Sequence, residues 1–438
     1  MFPTMTKKDQ TADFKSERKF FQNFLISFIL IGYYTMGANL LIVKMFKRPV
    51  LPLSFAFCAL LLVFILAKLL RGDIKWYISP IMALTLFLTL IVFINNPYTK
   101  SSLEEAFYFL GITVISSIYL YLCKIELEDY KQICSISAIF LIILAVVALY
   151  AYFKVGTLEV RVTSQKESQL YSISVARHLA VGVFIFLYLI KTGQKKGLYK
   201  LFYWTTVFVL ISIIIFTGKR QALISVVLSP VLLGILEIKR PLRLIFLLST
   251  VFVLLFLLYH YGLPAMFNFK SLSNTKMAEY LQRQYYDEKN IRKMAGRIDA
   301  YKAAIQVIGD RPIRGVGFDN FGKYAKIKFF LRDEKANPHN LWLHIYAELG
   351  IFGFLCAVLT IVIFIRNIIY SVWNISFLRY TNEIYLVCRM SICVILFSMV
   401  GLSLGRGVLL FFTVAMLMEK MYQTIAYEKK HRKKAMIN

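Results

Sequence analysis

ANPHNLWLHIYAELGIFG, residues 336–353, begins as a polar loop and ends as an apolar helix. Asn337-Pro338 marks a break, because a proline ring pushes the residue before it out of the α region. From Leu341 the chain stays apolar for about 25 residues, interrupted only by His344 and Glu348. At about 1.5 Å of rise per residue, such a run is long enough to cross a hydrocarbon core of about 30 Å. The stretch therefore reads as a membrane span with a wet amino end, and His339 stands on the boundary.

The rest of the chain repeats this pattern. Its 438 residues are 58% hydrophobic and only 17% charged, with a mean hydropathy of +0.63. Soluble domains carry about 25% charged residues, so the composition belongs to an all-α polytopic membrane protein. Hydropathy places about twelve transmembrane helices, at 20–43, 50–70, 77–94, 106–123, 134–153, 172–190, 200–217, 221–237, 243–261, 341–365, 384–404 and 406–424. The first run is too long for a signal-peptide core and has no small-residue cleavage site behind it, so it reads as a retained helix. Six cysteines (Cys58, Cys123, Cys134, Cys356, Cys388 and Cys393) lie in or beside apolar runs, as packing residues rather than a disulfide or zinc framework.

Basic residues set the expected orientation. With the amino terminus in the cytoplasm, the inner segments and the span ends beside them hold 25 Lys and Arg, and the short outer loops, counted the same way, ten. Both termini are then expected on the cytoplasmic side. The formal net charge of +28 reports topology and anionic headgroups, not nucleic acid. One outer segment, 262–340, is a polar block with 15 Lys and Arg against eight Asp and Glu. The chain thus divides into helices 1–9 (1–261), an external loop with helices (262–340), and helices 10–12 with a basic cytoplasmic tail (341–438). Within the block, Tyr301, Ala304, Ile305 and Ile308 recur at helical spacing, and RPIRGVGFDNFG supplies turn punctuation.

Ionisable groups inside spans are costly, by about 2.5–3.5 kcal/mol for a central Arg or Lys, and each invites a functional reading. Arg177, His178, Lys219, Arg220, His344, Glu348, Arg389 and Arg406 are of this kind. Blander readings stand beside the functional ones. Lys219 and Arg406 lie near helix ends and can snorkel. His344 and Glu348, four residues apart, can satisfy each other. His178 can pack. Collectively Arg161, Arg220, Arg297 and His339 map to the outer side, and guanidinium groups suit a lipid-linked phosphate or diphosphate. No Walker loop, paired-aspartate metal motif, Ser-His-Asp arrangement or H-E-x-x-H motif stands in a plausible place, so arginine rather than metal or cofactor is expected to meet a leaving phosphate.

GRIDAYKAAIQVIGDRPIRGVGFDNFG followed by NPHNLWLHIYAELGIFGF resembles the signature of the O-antigen ligase and O-antigen polymerase superfamily. The matching residues are Arg297, Tyr301 (where the family usually has Trp), Pro312, Gly315, Gly317, His339, Asn340, Glu348, Gly350 and Gly353. Upstream, TGKRQALIS is similar to the family's arginine turn and aligns Arg220 with it. RVTSQKES is similar to a further outer-loop arginine, Arg161, although the motif after it is degenerate.

The resemblance implies a GT-C-like membrane glycosyltransferase that moves glycan from undecaprenyl diphosphate to a sugar hydroxyl on the outer face. It needs no cofactor. His339 is then the expected general base, with Arg220 and Arg297 stabilising the diphosphate. Arg161, Arg177, Arg314, Asn340, Glu348 and Arg389 are expected to bind substrate. Without a carboxylate nucleophile the transfer inverts, a point that Glu348 and Asp299 keep open, and Asn340 or Asn337 is the candidate cap of the tenth span. Expected partners are the lipid-linked donor, a glycan or lipid-linked acceptor, membrane lipids and other polysaccharide assembly proteins. A repeat-unit polymerase for O-antigen, capsule or exopolysaccharide is the leading expectation. A ligase acting on lipid A core is the alternative, and a twelve-span transporter or flippase the rival outside enzymes.

Overall fold

The computed structural model describes residues 19–32, 53–70, 79–155, 165–193, 197–217, 220–237, 288–329, 340–375, 381–400 and 408–435, with Glu17 and Pro338. Among them every regular element is helical. In order these are α1 (Lys19–Ile31), α2 (Leu53–Leu70), α3 (Pro80–Ile94), α4 (Lys100–Tyr108) and α5 (Ile115–Leu122). Then follow α6 (Asp129–Val155), α7 (Gln165–Thr192), α8 (Leu198–Phe216) and α9 (Arg220–Glu237). After these come α10 (Glu288–Asp310), α11 (Phe321–Phe329), α12 (Leu341–Trp373), α13 (Thr381–Val400) and α14 (Leu409–Ala435).

Among the described residues six helical stretches are long and apolar enough to cross a membrane: Glu105–Leu122, Asp129–Tyr150, Val175–Thr192, Leu198–Ile215, Leu341–Trp373 and Thr381–Met399. Four shorter apolar helices, α1, α2, α3 and α9, accompany them. The protein is a multi-pass membrane protein by this criterion. The expected ninth span, 243–261, lies outside the described residues, as does most of the carboxyl half of the first.

The exterior is apolar and the interior carries the polar groups, the distribution a lipid solvent imposes. Leu90, Phe208, Val146 and Val362 are exposed, while Asn23, His178, Glu348, Asn367 and Glu419 are buried. Hydroxyls inside the spans bond back to the preceding turn: Thr85 donates to the Ile81 carbonyl at 2.8 Å, Ser229 to Ser225 at 2.6 Å and Ser391 to Val387 at 2.7 Å. Helix α13 packs against α7, α9, α12 and α14. The six cysteines are free and buried.

Helices α6 and α7 begin several residues before the expected spans, and three larger departures from the hydropathy reading follow. The expected fourth span is α4 and α5 joined by a π-helix, Phe109–Val114. α14 runs to Ala435, well past the end of its apolar half, because hydropathy marks the end of the lipid and not of the hydrogen-bond ladder. The tenth span does not run straight through: α12 is broken at Gly350.

Candidate functional site

Gly350 has φ 67° and ψ −164°, a region that only glycine enters without strain. A break there strips neighbouring peptide groups of their helical partners, and in an apolar setting each must find another. The loop after α10 supplies them. Ile351 donates its N–H to the Pro312 carbonyl at 2.9 Å, Val316 donates to Ala347 at 2.9 Å, and Gly317 to Glu348 at 3.0 Å. The Asn95 amide donates to the Leu349 carbonyl at 3.4 Å, and the Asn95 carbonyl accepts from Phe318 at 3.1 Å. Backbones meet so closely that a Cβ on Gly315 would lie 2.4 Å from the Glu348 carbonyl oxygen. This is the physical content of the P-x-x-G-x-G signature: its glycines permit one loop to replace the ladder of another helix.

The Glu348 side chain completes the lock. Its carboxylate accepts from the Asp319 amide (Oε2, 3.0 Å) and the Phe321 amide (Oε1, 3.1 Å), so it caps the amino end of α11. His344 Nε2 lies 3.1 Å from Glu348 Oε1, one helical turn away. Glu348 and His344 are both buried.

The loop also orients α10. Ala303, Ala304 and Val307 of α10 form one small core with Val316, Phe321, Ala325 and Ala347, and Leu343 packs against it. Ile305, expected on the buried face, is 61% exposed instead. Alanines replace it at the contact because their small side chains let two helices approach closely. With Pro312 beside Ile351, and Ala303 to Val307 beside Leu343 and Ala347, α10 runs back toward the amino end of α12. Arg297 lies about 20 Å up α10 from Asp310, and Asn340 about 15 Å from Gly350.

A second convergence lies at that end. Asn340 caps α12, its side-chain oxygen accepting from Trp342 at 3.0 Å and Leu343 at 3.1 Å. Its Nδ2 donates to the Met399 carbonyl at 2.9 Å. From α9, Gln221 Nε2 donates to the Phe397 carbonyl at 2.8 Å. From α7, the buried Arg177 guanidinium sits 5.9 Å from the centre of the Phe397 ring. The amino ends of α9 and α12 and the middle of α7 therefore meet on the last described turn of α13.

Arg220 opens α9, next to Gln221, and Arg297 lies within α10. His339, Arg161 and Arg406 lie outside the described residues; His339 precedes Asn340 by one peptide bond. Two candidates stand apart from the convergence. Arg314, exposed in the turn before Gly315, belongs to the Gly350 end of the loop. Arg389 is about 15 Å down α13 from Met399. Its guanidinium is 5.9 Å from the Tyr385 ring centre, and its Nε is buried without a hydrogen-bond partner among the described residues. Sequence reading passed over Gln221, although it stands in the quoted TGKRQALIS turn, and Asn95, whose only signal was a polar Asn-Asn-Pro turn.

Away from the spans, Lys328 Nζ donates to Asp310 Oδ1 at 2.6 Å and the Tyr324 hydroxyl donates to Asp310 Oδ2. The Lys328 bond, reinforced by Tyr324, holds the Asp310 carboxyl below its ordinary range, and Asp310 raises Lys328 in turn. The pair pins the carboxyl end of α11 to that of α10. Among the described residues no three His, Cys, Asp or Glu side chains gather in a metal-binding group.

No curated protein matches the chain. A family model described as O-Antigen ligase matches residues 205–358, from within α8 to the middle of α12. The match takes in Arg220, Arg297, Arg314, His339, Asn340 and Glu348, and leaves out Arg161, Arg177 and Arg389. Residues 205–358 are thus an O-antigen ligase family domain, consistent with the superfamily of O-antigen ligases and polymerases.

Proposed function

We infer that the protein is a membrane glycosyltransferase that moves a glycan from undecaprenyl diphosphate to a hydroxyl of an acceptor glycan at the outer face of a bacterial plasma membrane. The observation that carries this reading is the meeting of the α9 and α12 amino ends, both inside the matched residues 205–358, on the last described turn of α13, which lies beyond them. Helix amino ends carry a partial positive charge, which favours a diphosphate.

In the transfer, the acceptor oxygen bonds to the anomeric carbon as the bond from that carbon to the diphosphate oxygen breaks. His339 takes the hydroxyl proton, and Arg220 and Arg297 meet the charge that develops on the leaving diphosphate. Arg177 and Arg161 extend the cationic lining, with Arg314, Asn340, Glu348 and Arg389 in supporting contacts to substrate or to the loop. A single displacement of this kind inverts the anomeric centre.

The description of the matched family as O-antigen ligase favours a ligase that delivers finished glycan to its acceptor. The degenerate motif after Arg161 favours a repeat-unit polymerase. Profiling lipid-linked intermediates in a deletion strain separates them. Loss of a ligase accumulates lipid-linked polymer, whereas loss of a polymerase leaves single lipid-linked repeat units. Normal glycan together with normal lipid-linked pools contradicts both.

A further inference from the structure

Leu355, Leu359 and Val362 form an exposed stripe along α12, at spacings of four and three residues. On a membrane helix such a stripe is the side that meets lipid. Arg366, four residues further, continues it and is exposed too. Seven residues separate it from the helix end at Trp373, about 10 Å. A guanidinium on a lipid-facing stripe is costly unless it reaches the headgroups or meets a counter-charge.

The surroundings of Arg366 are organised. Its Nε and Nη2 both donate to Asn367 Oδ1, at 3.3 and 2.9 Å. Asn367 Nδ2 donates to the buried carboxylate of Glu419 on α14 at 2.6 Å, and Gln423 Nε2 donates to its other oxygen at 3.3 Å. One edge of the guanidinium fork is thereby held by an amide that is itself held. Three of its five N–H groups have no acceptor among the described residues.

A second cation completes the face. Arg366 Cζ lies 5.0 Å from the Tyr422 ring centre, Tyr422 meets Tyr370 edge-on at 4.9 Å, and Lys429 Nζ lies 5.6 Å from the Tyr370 ring centre. Lys429 is fixed by donating to Asn374 Oδ1 at 2.7 Å. Among the described residues neither cation forms an ion pair.

We propose that Arg366 and Lys429, bracketing the Tyr370–Tyr422 pair, bind the phosphate of an anionic phospholipid whose acyl chains lie along the α12 stripe. By the distribution of Lys and Arg this is the cytoplasmic leaflet. A lipid fits better than a soluble phosphate because the cations adjoin exposed apolar surface, and because Trp373, exposed one turn beyond Tyr370, is an interfacial anchor. The site is independent of the transfer reading.

The experiment places the full chain, with Trp76→Phe, Trp204→Phe and Trp342→Phe so that Trp373 alone fluoresces, in nanodiscs of phosphatidylcholine and phosphatidylglycerol. One lipid or the other carries brominated, quenching acyl chains. Brominated phosphatidylglycerol is expected to quench Trp373 at mole fractions roughly five-fold or more below those that brominated phosphatidylcholine needs, about five-fold being the worth of one cation at a headgroup. Arg366→Gln with Lys429→Gln should bring that ratio to about one. Arg366→Lys, which keeps the charge and loses the fork, should fall between. Because each ratio compares two lipids on one variant, a general loss of stability does not imitate the effect. A ratio near one with Arg366 and Lys429 intact overturns the proposal, as does a preference that survives the double substitution. If excess inorganic phosphate abolishes the preference, the ligand is soluble and the lipid assignment falls. Should these variants fail to accumulate, native mass spectrometry of the wild-type chain and Arg366→Gln, released from the same nanodiscs, decides. Phosphatidylglycerol retained by the wild type and lost from the variant supports the site, and equal retention overturns it.

Discussion

The α-carbon of Gly350 faces the carbonyl of Ile313 so closely that a Cβ at Gly350 would sit 2.1 Å from the Ile313 oxygen. Nothing but hydrogen fits, and the φ of 67° excludes other side chains independently. Gly350→Ala must either straighten α12, which leaves the Val316 and Gly317 N–H groups and the Pro312 carbonyl unpaired, or expel the loop, which leaves the Ala347 and Glu348 carbonyls unpaired. It should destabilise the protein by roughly 3 kcal/mol or more, read as a lowered melting temperature or lost accumulation. A variant with wild-type stability would contradict the loop–break pairing.

Glu348 should behave as the clasp of that loop. Glu348→Gln keeps the size but turns an amide N–H toward one of the amides that the carboxylate accepts. A cost of about 1–3 kcal/mol is expected for the buried group so left. Hydrogen exchange gives the local test: amides of α11 should lose protection while those of α9 and α13 keep it. Unchanged exchange at Phe321 would show that the carboxylate does not hold the helix.

Acid should loosen the same helix from its other end. Asp310 has a folded pKa below its unfolded value of about 3.9, so its contribution is complete above that value and is lost as pH falls through the folded pKa. Lys328, raised, contributes below its unfolded value of about 10.4 and loses this as pH rises through the folded one. Protection in the last turn of α11, measured relative to the intrinsic exchange rate at each pH, should be flat from about pH 5 to 9 and fall below about pH 4. Asp310→Asn should abolish the acid limb, and salt should weaken it. An acid limb that survives the substitution would assign it to another group.

Much of this architecture could be read from the chain because lipid imposes a long, simple pattern. The runs at 50–70, 77–94, 200–217 and 221–237 correspond closely to α2, α3, α8 and α9. Asn340 was legible as a cap because an amide oxygen ahead of an apolar run has a local role. The break at Gly350 was not legible in hydropathy, which counts composition and is blind to φ. Only the spacing of Gly315, Gly317 and Gly350 marked it, and their mutual contact appears only once the loop is folded onto α12. The meeting at Phe397 and Met399 left no trace at all. Gln221 is 176 residues away from its acceptor, and a backbone carbonyl has no sequence signature.

The most direct measurement is transfer in liposomes from a defined undecaprenyl-diphosphate-linked glycan, comparing the wild-type chain with His339→Ala and Arg220→Ala. Wild-type protein should form product. His339→Ala should lose about 100-fold or more in kcat, within the range for a general base, with its melting temperature unchanged. Arg220→Ala should fall by a similar factor through the lost diphosphate contact. Product formation by His339→Ala at the wild-type rate would contradict the proposed chemistry.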